Sequence, residues 1–268
     1  MSDSFFTIRH DDDGEWIQPT DHCRGPWDPD ACHAGPPTGM LARAAERLLP
    51  EQRLVRITVD LTRPIPHAGF HIVGEVTRAG RTVSTTALSI VESSGRAVVT
   101  ARTLHLAPQP ERDLPTVPAD TPRSADASPG RFAVSASAHP LPTFSGAVEM
   151  RYPDGHDHLP GPTMAWMRTV PLLPDEEVSG FARICPLADC GNAISRNADP
   201  GPIAFMNADL TLVVHREPLG EWFGTHAVSR WEPDGIGMSD ALLFDDHGVV
   251  GRAIQSLVIQ SSDPDRGR

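Results

Sequence analysis

The sequence predicts an α+β fold built from two similar modules, each a helix packed on an antiparallel sheet. The first observation is an internal repeat, in which Val59–Pro66 is answered by Ala208–Pro218, and Ile90–Val98 by Leu243–Val250. The second is the order of elements in each half, a helical pattern followed by a run of strand patterns, which is typical of α+β proteins. Because ligand sites favour the interfaces between modules, we expect the functional site where the two modules meet.

The first module is predicted to span residues 1–106. A helix is predicted over Met40–Leu49, because apolar side chains recur there at helical spacing until Pro50 ends the pattern. Strand patterns rich in β-branched residues follow, separated by turns at Gly80 and Gly95. They cover Val55–Arg63, His71–Arg78, Thr82–Val91 and Arg96–Leu106.

A proline-rich segment over residues 107–145 is interpreted as an extended linker, since proline blocks helix interiors and removes ladder donors. The second module is predicted over 146–262, with a helix from Pro174 to about Asn197 that kinks or restarts at Pro186. Its strand patterns cover Ala147–Tyr152, Met164–Val170, Phe205–Val214, Trp222–Trp231, Gly237–Phe244 and Val249–Gln260. The polar tail over 263–268 is expected to be disordered.

Composition narrows the classes of partner. The formal net charge of -12 argues against binding to nucleic acid or to an anionic membrane surface. No apolar run approaches the ~18 residues that span a bilayer, and no secretory signal is recognised. Four cysteines in 268 residues indicate free thiols and a cytoplasmic protein. Apolar residues on both faces of Val249–Gln260 predict a homodimer or a higher homo-oligomer.

Five motifs carry a resemblance to a known family. They are Ala31–Gly39, Leu187–Asn192, Met206–Thr211, His215–Trp222 and Gly251–Leu257. In their order and spacing the chain resembles the acyl-CoA thioesterase II-like family of the actinobacterial type, over nearly its whole length except the linker. The resemblance implies a double hotdog fold and the hydrolysis of an acyl-CoA thioester to free acid and CoA. It implies neither a metal nor another cofactor.

The resemblance also implies catalytic positions. In that family an aspartate on the second helix, a hydroxyl residue on the next strand and a glutamine on the last strand hold the attacking water. These positions match Asp189, Asn207 and Gln255, so an amide replaces the hydroxyl at Asn207. A carboxylate can accept a proton from water, and an amide can orient it. An alternative role for Asp189 is left open, in which it only forms a structural hydrogen bond with a neighbouring backbone group.

Glycines near the predicted helix starts are candidate substrate-binding positions. Gly35, Gly39 and Gly191 are chosen because free backbone N–H groups at the start of a helix can stabilise an oxyanion.

Arg102 takes the repeat position of Gln255, seven residues after the turn glycine in each module. Because the first module lacks the matching amide, one active site per chain is predicted.

Two other functions remain open on the same fold. The first is a non-catalytic protein that binds acyl-CoA or an acyl carrier, or acts as a scaffold, since fold does not fix function. The second is a hydratase or dehydratase, which needs a paired aspartate and histidine. It ranks last, because Leu187–Ala193 around Asp189 contains no histidine within reach.

Overall fold

The computed structural model describes residues 4–12, 14–110, 112–117, 121–134, 137–201 and 203–261, and the predicted tail over 263–268 lies outside them. The first half contains β1 (Phe6–Asp11), β2 (Gly14–Pro19), α1 (Gly35–Leu48), β3 (Arg53–Leu61), β4 (Phe70–Arg78), β5 (Val83–Val91) and β6 (Ala97–Leu106). The rest contains β7 (Ser128–Gly130), β8 (Val148–Tyr152), β9 (Thr163–Thr169), α2 (Gly180–Ala188), α3 (Gly191–Ile194), β10 (Ile203–Asn207), β11 (Asp209–Val214), β12 (Phe223–Trp231), β13 (Ile236–Asp245) and β14 (Gly248–Ser261). The predicted α+β class of two helix-plus-sheet modules is confirmed.

All the strands of the described residues belong to one antiparallel sheet, in the order β1-β2-β4-β5-β6-β3-β11-β14-β13-β12-β9-β8-β7, with β10 also paired to β14. The two modules join between β3 and β11, where Thr58 lies opposite Thr211 at the centre of the paired residues. Thr211 Oγ1 donates to Thr58 Oγ1 at 3.2 Å. The join therefore converts two module sheets into one continuous sheet.

The helices of the two modules pack against each other inside this sheet. Gly39 of α1 allows the close approach, because a methyl group there would lie 2.7 Å from the carbonyl oxygen of Ala182 in α2. In a regular helix this oxygen would accept the N–H of the residue four positions later. That residue is Pro186, which has no N–H. Met40 and Leu41 are fully buried beside this contact. One turn earlier, Gly35 at the start of α1 approaches Pro186 near the end of α2, so the start of α1 lies against the end of α2.

Both helices begin elsewhere than predicted. Helix α1 starts at Gly35 and includes Pro36 and Pro37, because the first turn of a helix has no intrahelical acceptor for the missing N–H groups. Helix α2 starts only at Gly180. Ser179 precedes it and accepts the amide of the third following residue on its Oγ, which fixes the helix start there.

The structure contains a hairpin that the strand patterns did not predict. Strands β1 and β2 pair along their whole length, and β2 continues the sheet through Trp16 opposite His71 of β4. Gly14 has a φ of +113° at the turn, a conformation that side-chain-bearing residues rarely adopt. The hairpin extends the first half of the sheet beyond β4.

The proline-rich segment contributes to the core as well as connecting the modules. Its short strand β7 pairs with β8 at the sheet edge. Phe132, Val134 and Phe144 from this segment are buried. Phe5 near the start of the chain stacks on Phe144, with ring centroids 5.8 Å apart. The segment therefore supplies apolar side chains to the space between the modules.

Candidate active site

A cavity of about 560 Å³ lies where the two modules meet, as the repeat predicts. Both halves of the chain form its walls. One wall is the end of β3 with residues 61–65, and the other is the end of β10 with residues 205–208. Much of the lining is apolar, and its apolar members include Trp27, Ile65, Phe132, Val134, Phe144 and Phe205. The cavity can hold an apolar chain beside the polar group described next.

The three predicted catalytic residues contact one another, and two of them, Asp189 and Asn207, line this cavity. Asp189, at the C-terminal cap of α2, is only 4% exposed. Its Oδ1 accepts hydrogen bonds from Asn207 Nδ2 at 2.8 Å and from Gln255 Nε2 at 3.2 Å. Gln255 Nε2 also donates to the main-chain oxygen of Asp189 at 2.9 Å, and its Oε1 accepts the amide of Asn192 at 3.0 Å. Gln255 thus anchors the end of α2 and the start of α3 to the sheet.

Strand alternation explains why Gln255 faces the helices. Ala253, Gln255 and Leu257 of β14 point inward and are buried, since alternate residues of a strand face the same side. On the other face, Ile254 and Val258 are 41% and 42% exposed. The strand is therefore apolar on both faces, as predicted, with its outer face open in the single chain.

The site also contains a histidine, which was not among the residues predicted from the sequence. His33 Nδ1 lies 3.1 Å from Asp189 Oδ2. The imidazole stacks on Phe144, with ring centroids 4.0 Å apart and an interplanar angle of 14°. The expectation that no histidine reaches Asp189 is wrong, because the packing of α1 on α2 brings together residues far apart in sequence. The available signal was the position of His33 two residues before the start of α1.

Gly35 lies beside this pair for steric reasons. A methyl group on Gly35 would lie 2.8 Å from the Cα of Pro186 and 3.2 Å from the Cβ of Asp189. The amide of Gly35 donates to His33 Nδ1 at 3.2 Å. Because the next two residues are prolines, Gly35 supplies the one N–H group of the first three residues of α1. This amide is the candidate donor at the helix start.

The other two candidate glycines have packing roles, and none of the three candidate glycines is among the residues that line the cavity. Gly39 faces the carbonyl of Ala182, as described above. A methyl group on Gly191 would lie 2.7 Å from Ser239 Oγ and 3.2 Å from Gln255 Oε1. Gly191 therefore gives β13 and β14 room to approach α3.

The repeat position of Gln255 is Thr103, which corrects the assignment of Arg102. The extra residue of a bulge is Val250 in β14, and Gln255 lies five residues after it, paired with Ser239. The matching bulge has Val98 as its extra residue in β6, and Thr103 lies five residues after it, paired with Thr86. Arg102 points outward and is exposed. The count from the turn glycines fails because the β5–β6 turn is one residue longer than the β13–β14 turn.

The start of α2, which matches the start of α1 in the repeat, is closed by carboxylates. Glu217 accepts the amides of Gly180 and Phe181 on its Oε1, and Ser179 Oγ donates to Glu46 Oε2 at 2.8 Å. Burial raises the pKa of Glu46 to about 7, against the lowering effect of the Ser179 hydrogen bond. The first amides of α2 are therefore satisfied by Glu217 and by Ser179, whose hydroxyl Glu46 holds in place.

In the described part of the chain, no group of three or more His, Cys, Asp or Glu side chains is placed to hold a metal ion. None of the described helices is both long and apolar enough to cross a bilayer.

Two copies of a sheet wrapped around a helix, joined in one chain, define a double hotdog protein, as the resemblance predicts. The model of the acyl-CoA thioesterase C-terminal domain matches residues 113–259, and that of the N-terminal domain matches residues 23–106. The chain therefore belongs to the acyl-CoA thioesterase family, and the predicted family is confirmed.

Solved structures agree on the fold at low sequence identity. A candidate thioesterase from Novosphingobium aromaticivorans superposes with a TM-score of 0.75 at 17% identity, covering 95% of this chain and 98% of its own. A hot dog fold protein of unknown function from Alicyclobacillus acidocaldarius gives 0.68 at 17% identity, with 95% and 96% covered. The acyl-CoA thioesterase II TesB2 from Mycobacterium marinum gives 0.62 at 15% identity, with 87% and 91% covered. No curated protein matches the sequence significantly.

Proposed function

We propose that the protein is an acyl-CoA thioesterase, which hydrolyses an acyl thioester to the free acid and CoA. The observation that carries the proposal is the convergence of Asn207 and Gln255 on the buried Asp189 carboxylate at the wall of an apolar cavity. Membership of the acyl-CoA thioesterase family supports the same reaction.

The chemistry fits this set of side chains. The acyl chain lies along the apolar walls, with its thioester carbonyl beside the group centred on Asp189. The oxygen of a water held there attacks the carbonyl carbon, and a base in the group takes the proton of the water. The C–S bond then breaks, and the sulfur leaves as a thiolate that receives the proton. Because a thiolate is a good leaving group, the mechanism uses no metal and no other cofactor.

We further propose that the enzyme acts in the cytoplasm as a homo-oligomer. Met206, Val258 and Ile236 lie side by side across β10, β14 and β13, and all three are exposed. A second copy would cover this apolar row. Sedimentation of the wild type and of Ile236→Lys tests the assembly, and a wild type that sediments as a monomer would contradict it.

The function is tested by following free-thiol release from short-, medium- and long-chain acyl-CoAs. We expect turnover in the wild type and in Asp154→Asn, a control at an exposed carboxylate. Asp189→Asn keeps the shape of the side chain but removes its charge, so we expect it to lose turnover while staying folded. Full activity in Asp189→Asn would refute the assignment of the site.

Two alternatives are separated by the same experiment. A binding or scaffold protein would bind acyl-CoA saturably without releasing thiol, and the occupation of Asp189 Oδ1 by the Asn207 amide is the feature that favours it. The contact between His33 and Asp189 favours a hydratase, because it supplies the paired histidine and aspartate. Loss of the double bond of a 2-enoyl-CoA without thiol release would identify that reaction.

A further inference from the structure

The Asp189 carboxylate is almost fully occupied by protein donors. An ionised carboxylate offers about four acceptor positions. Asn207 and Gln255 donate to Oδ1, and Oδ2 faces Nδ1 of His33 at 3.1 Å. With this residue only 4% exposed, little of the carboxylate is left to receive a water molecule. The group around Asp189 therefore needs another atom that faces the cavity and can take a proton.

His33 provides that atom. Its ring borders the cavity, and among the described residues Nε2 has no hydrogen-bond partner. Stacking on Phe144 fixes the plane of the ring, while the main-chain amide of His33 donates to the carbonyl of Cys23 at 2.8 Å. The ring plane and the main chain of His33 are thus both fixed, and Nε2 is left for a ligand.

The neighbours of Nδ1 determine which nitrogen carries the proton. Nδ1 lies 3.1 Å from Asp189 Oδ2 and 3.2 Å from the amide nitrogen of Gly35. An ionised carboxylate can only accept, so a neutral His33 beside it is protonated on Nδ1 and bears its lone pair on Nε2. In that state Nδ1 cannot accept from Gly35, so the contacts of Nδ1 with Asp189 and with Gly35 are alternatives, and the hydrogen bond from Gly35 is lost.

We infer that His33 is the catalytic base of the hydrolysis and that Asp189 is the residue which positions it. The inference rests on the proposed thioesterase function. A carboxylate that orients an imidazole through Nδ1–H, with Nε2 as the proton acceptor, is a recurrent arrangement for activating a nucleophile. Here the nucleophile is water, held beside Nε2 at the cavity wall.

The reaction balances with water as the only co-reactant. As the water oxygen bonds to the carbonyl carbon, one water proton passes to Nε2, and the π electrons of the C=O bond move onto its oxygen. When the C=O bond re-forms, the C–S bond breaks and its electron pair stays on sulfur. The imidazolium then returns the proton from Nε2 to the thiolate. The products are the carboxylic acid and CoA, and His33 is again neutral.

Charged and titratable side chains that border the cavity together with His33 are Asp28, Cys32, Arg63 and Asp189. Of these, Asp189 is the group in direct contact with the ring. A titration seen in the rate and removed by substitution of His33 alone is therefore assigned to the imidazole.

The test compares His33→Asn with the wild type. Asparagine can place an amide N–H near the position of Nδ1 and so keep a donor for Asp189, but it has no base at the position of Nε2. We expect kcat to fall about 100- to 10,000-fold, the range for loss of a general base, with KM changed less than about threefold. In the wild type kcat/KM should rise with pH through one ionisation, and this limb should disappear in His33→Asn. His10→Asn, at an exposed histidine of β1, is the matched control.

A second measurement does not depend on activity. Nitrogen-15 NMR of the wild type should show His33 as the tautomer protonated on Nδ1, and Asp189→Asn should disturb that state. A tautomer protonated on Nε2 in the wild type near neutral pH would overturn the inference, whatever the activity. An unchanged kcat and pH profile in His33→Asn, with Asp189→Asn inactive, would overturn it while leaving the thioesterase function intact. A wild type without turnover on any acyl-CoA would instead mean that the proposed function had failed, and the inferred role of His33 with it.

Discussion

Asn207 Nδ2 donates a hydrogen bond of 2.8 Å to Asp189 Oδ1, at the end of β10 where the strand gives way to β11. A hydrogen bond to a charged group contributes about 1.5–3 kcal/mol. We therefore expect Asn207→Ala to lower the free energy of unfolding by about 1–3 kcal/mol and kcat by about 10- to 100-fold. Asn207→Thr retains one donor, so its loss of activity should be smaller.

Urea unfolding and thiol release check this prediction on the same protein samples. Asn197→Ala, at an exposed asparagine after α3, serves as the control. Equal activity in Asn207→Ala and Asn197→Ala would mean that the amide of Asn207 does not contribute to the reaction.

Gln255 is expected to contribute more to stability than any other member of the site. It is 1% exposed and satisfies both Asp189 and the amide of Asn192. In Gln255→Leu these buried groups lose their partner, which should lower the free energy of unfolding by about 2–4 kcal/mol. Thermal unfolding measures the change, with Ser256→Ala on the outer face of β14 as control. A melting temperature equal to that of the control would contradict the role of Gln255 as an anchor.

Glu46 should make the protein less stable as the pH rises. Its pKa is raised from 4.5 to about 7, chiefly by burial. The folded protein therefore favours the protonated form, whose stabilising effect is complete below pH 4.5, declines between pH 4.5 and 7, and is absent above pH 7. We expect Glu46→Gln, which cannot ionise, to raise the free energy of unfolding at pH 8 by about 1–3 kcal/mol and to change it little at pH 4.5.

Chemical unfolding of Glu46→Gln at both pH values tests the sign of this effect. Glu51→Gln, an exposed carboxylate just after α1, is the control. The same stability difference at pH 4.5 and pH 8 would show that folding does not raise the pKa of Glu46.

Arg216 should stabilise the fold through Asp245, which is fully buried. Two bonds of 2.7 and 2.6 Å join the guanidinium to the two carboxylate oxygens. Removing one partner of a buried pair lowers the free energy of unfolding by about 3–5 kcal/mol, so we expect that range for Arg216→Met. Arg216→Lys keeps the charge but cannot form the bidentate pair with the carboxylate. We therefore expect it to lower the free energy of unfolding by about half as much as Arg216→Met.

The exposed pair between Arg252 and Asp240 supplies the comparison, since such pairs contribute at most about 1 kcal/mol. Burial opposes the ionisation of Asp245, but its hydrogen bonds to Arg216 and two backbone amides outweigh burial and lower its pKa from 3.8. The stabilising effect is therefore present above pH 3.8 and is lost as the pH falls below it. Equal urea midpoints for Arg216→Met and Arg252→Met would contradict this account.

Local patterns in the sequence were enough for the class of the fold and for most strands. Alternating apolar residues predicted β14, and it places Gln255 inward as such a strand must. The helix starts were harder to predict, because Pro36 and Pro37 read as a break when they in fact occupy the first turn of α1. The position of Thr103 was also missed by one residue, because a single extra residue in a turn shifts the face of every following side chain.

The sequence by itself determined the duplicated architecture and the acyl-CoA thioesterase resemblance, and that resemblance implied Asp189, Asn207 and Gln255 as candidate catalytic residues. The architecture follows from periodicity and the resemblance from motif order, and both can be read from residues that are neighbours in the sequence. Only the tertiary structure decided that His33 contacts Asp189 and that the proline-rich segment walls the cavity. Contacts of this kind are set by how α1 packs on α2, and such packing depends on the shapes of surfaces assembled from distant parts of the chain.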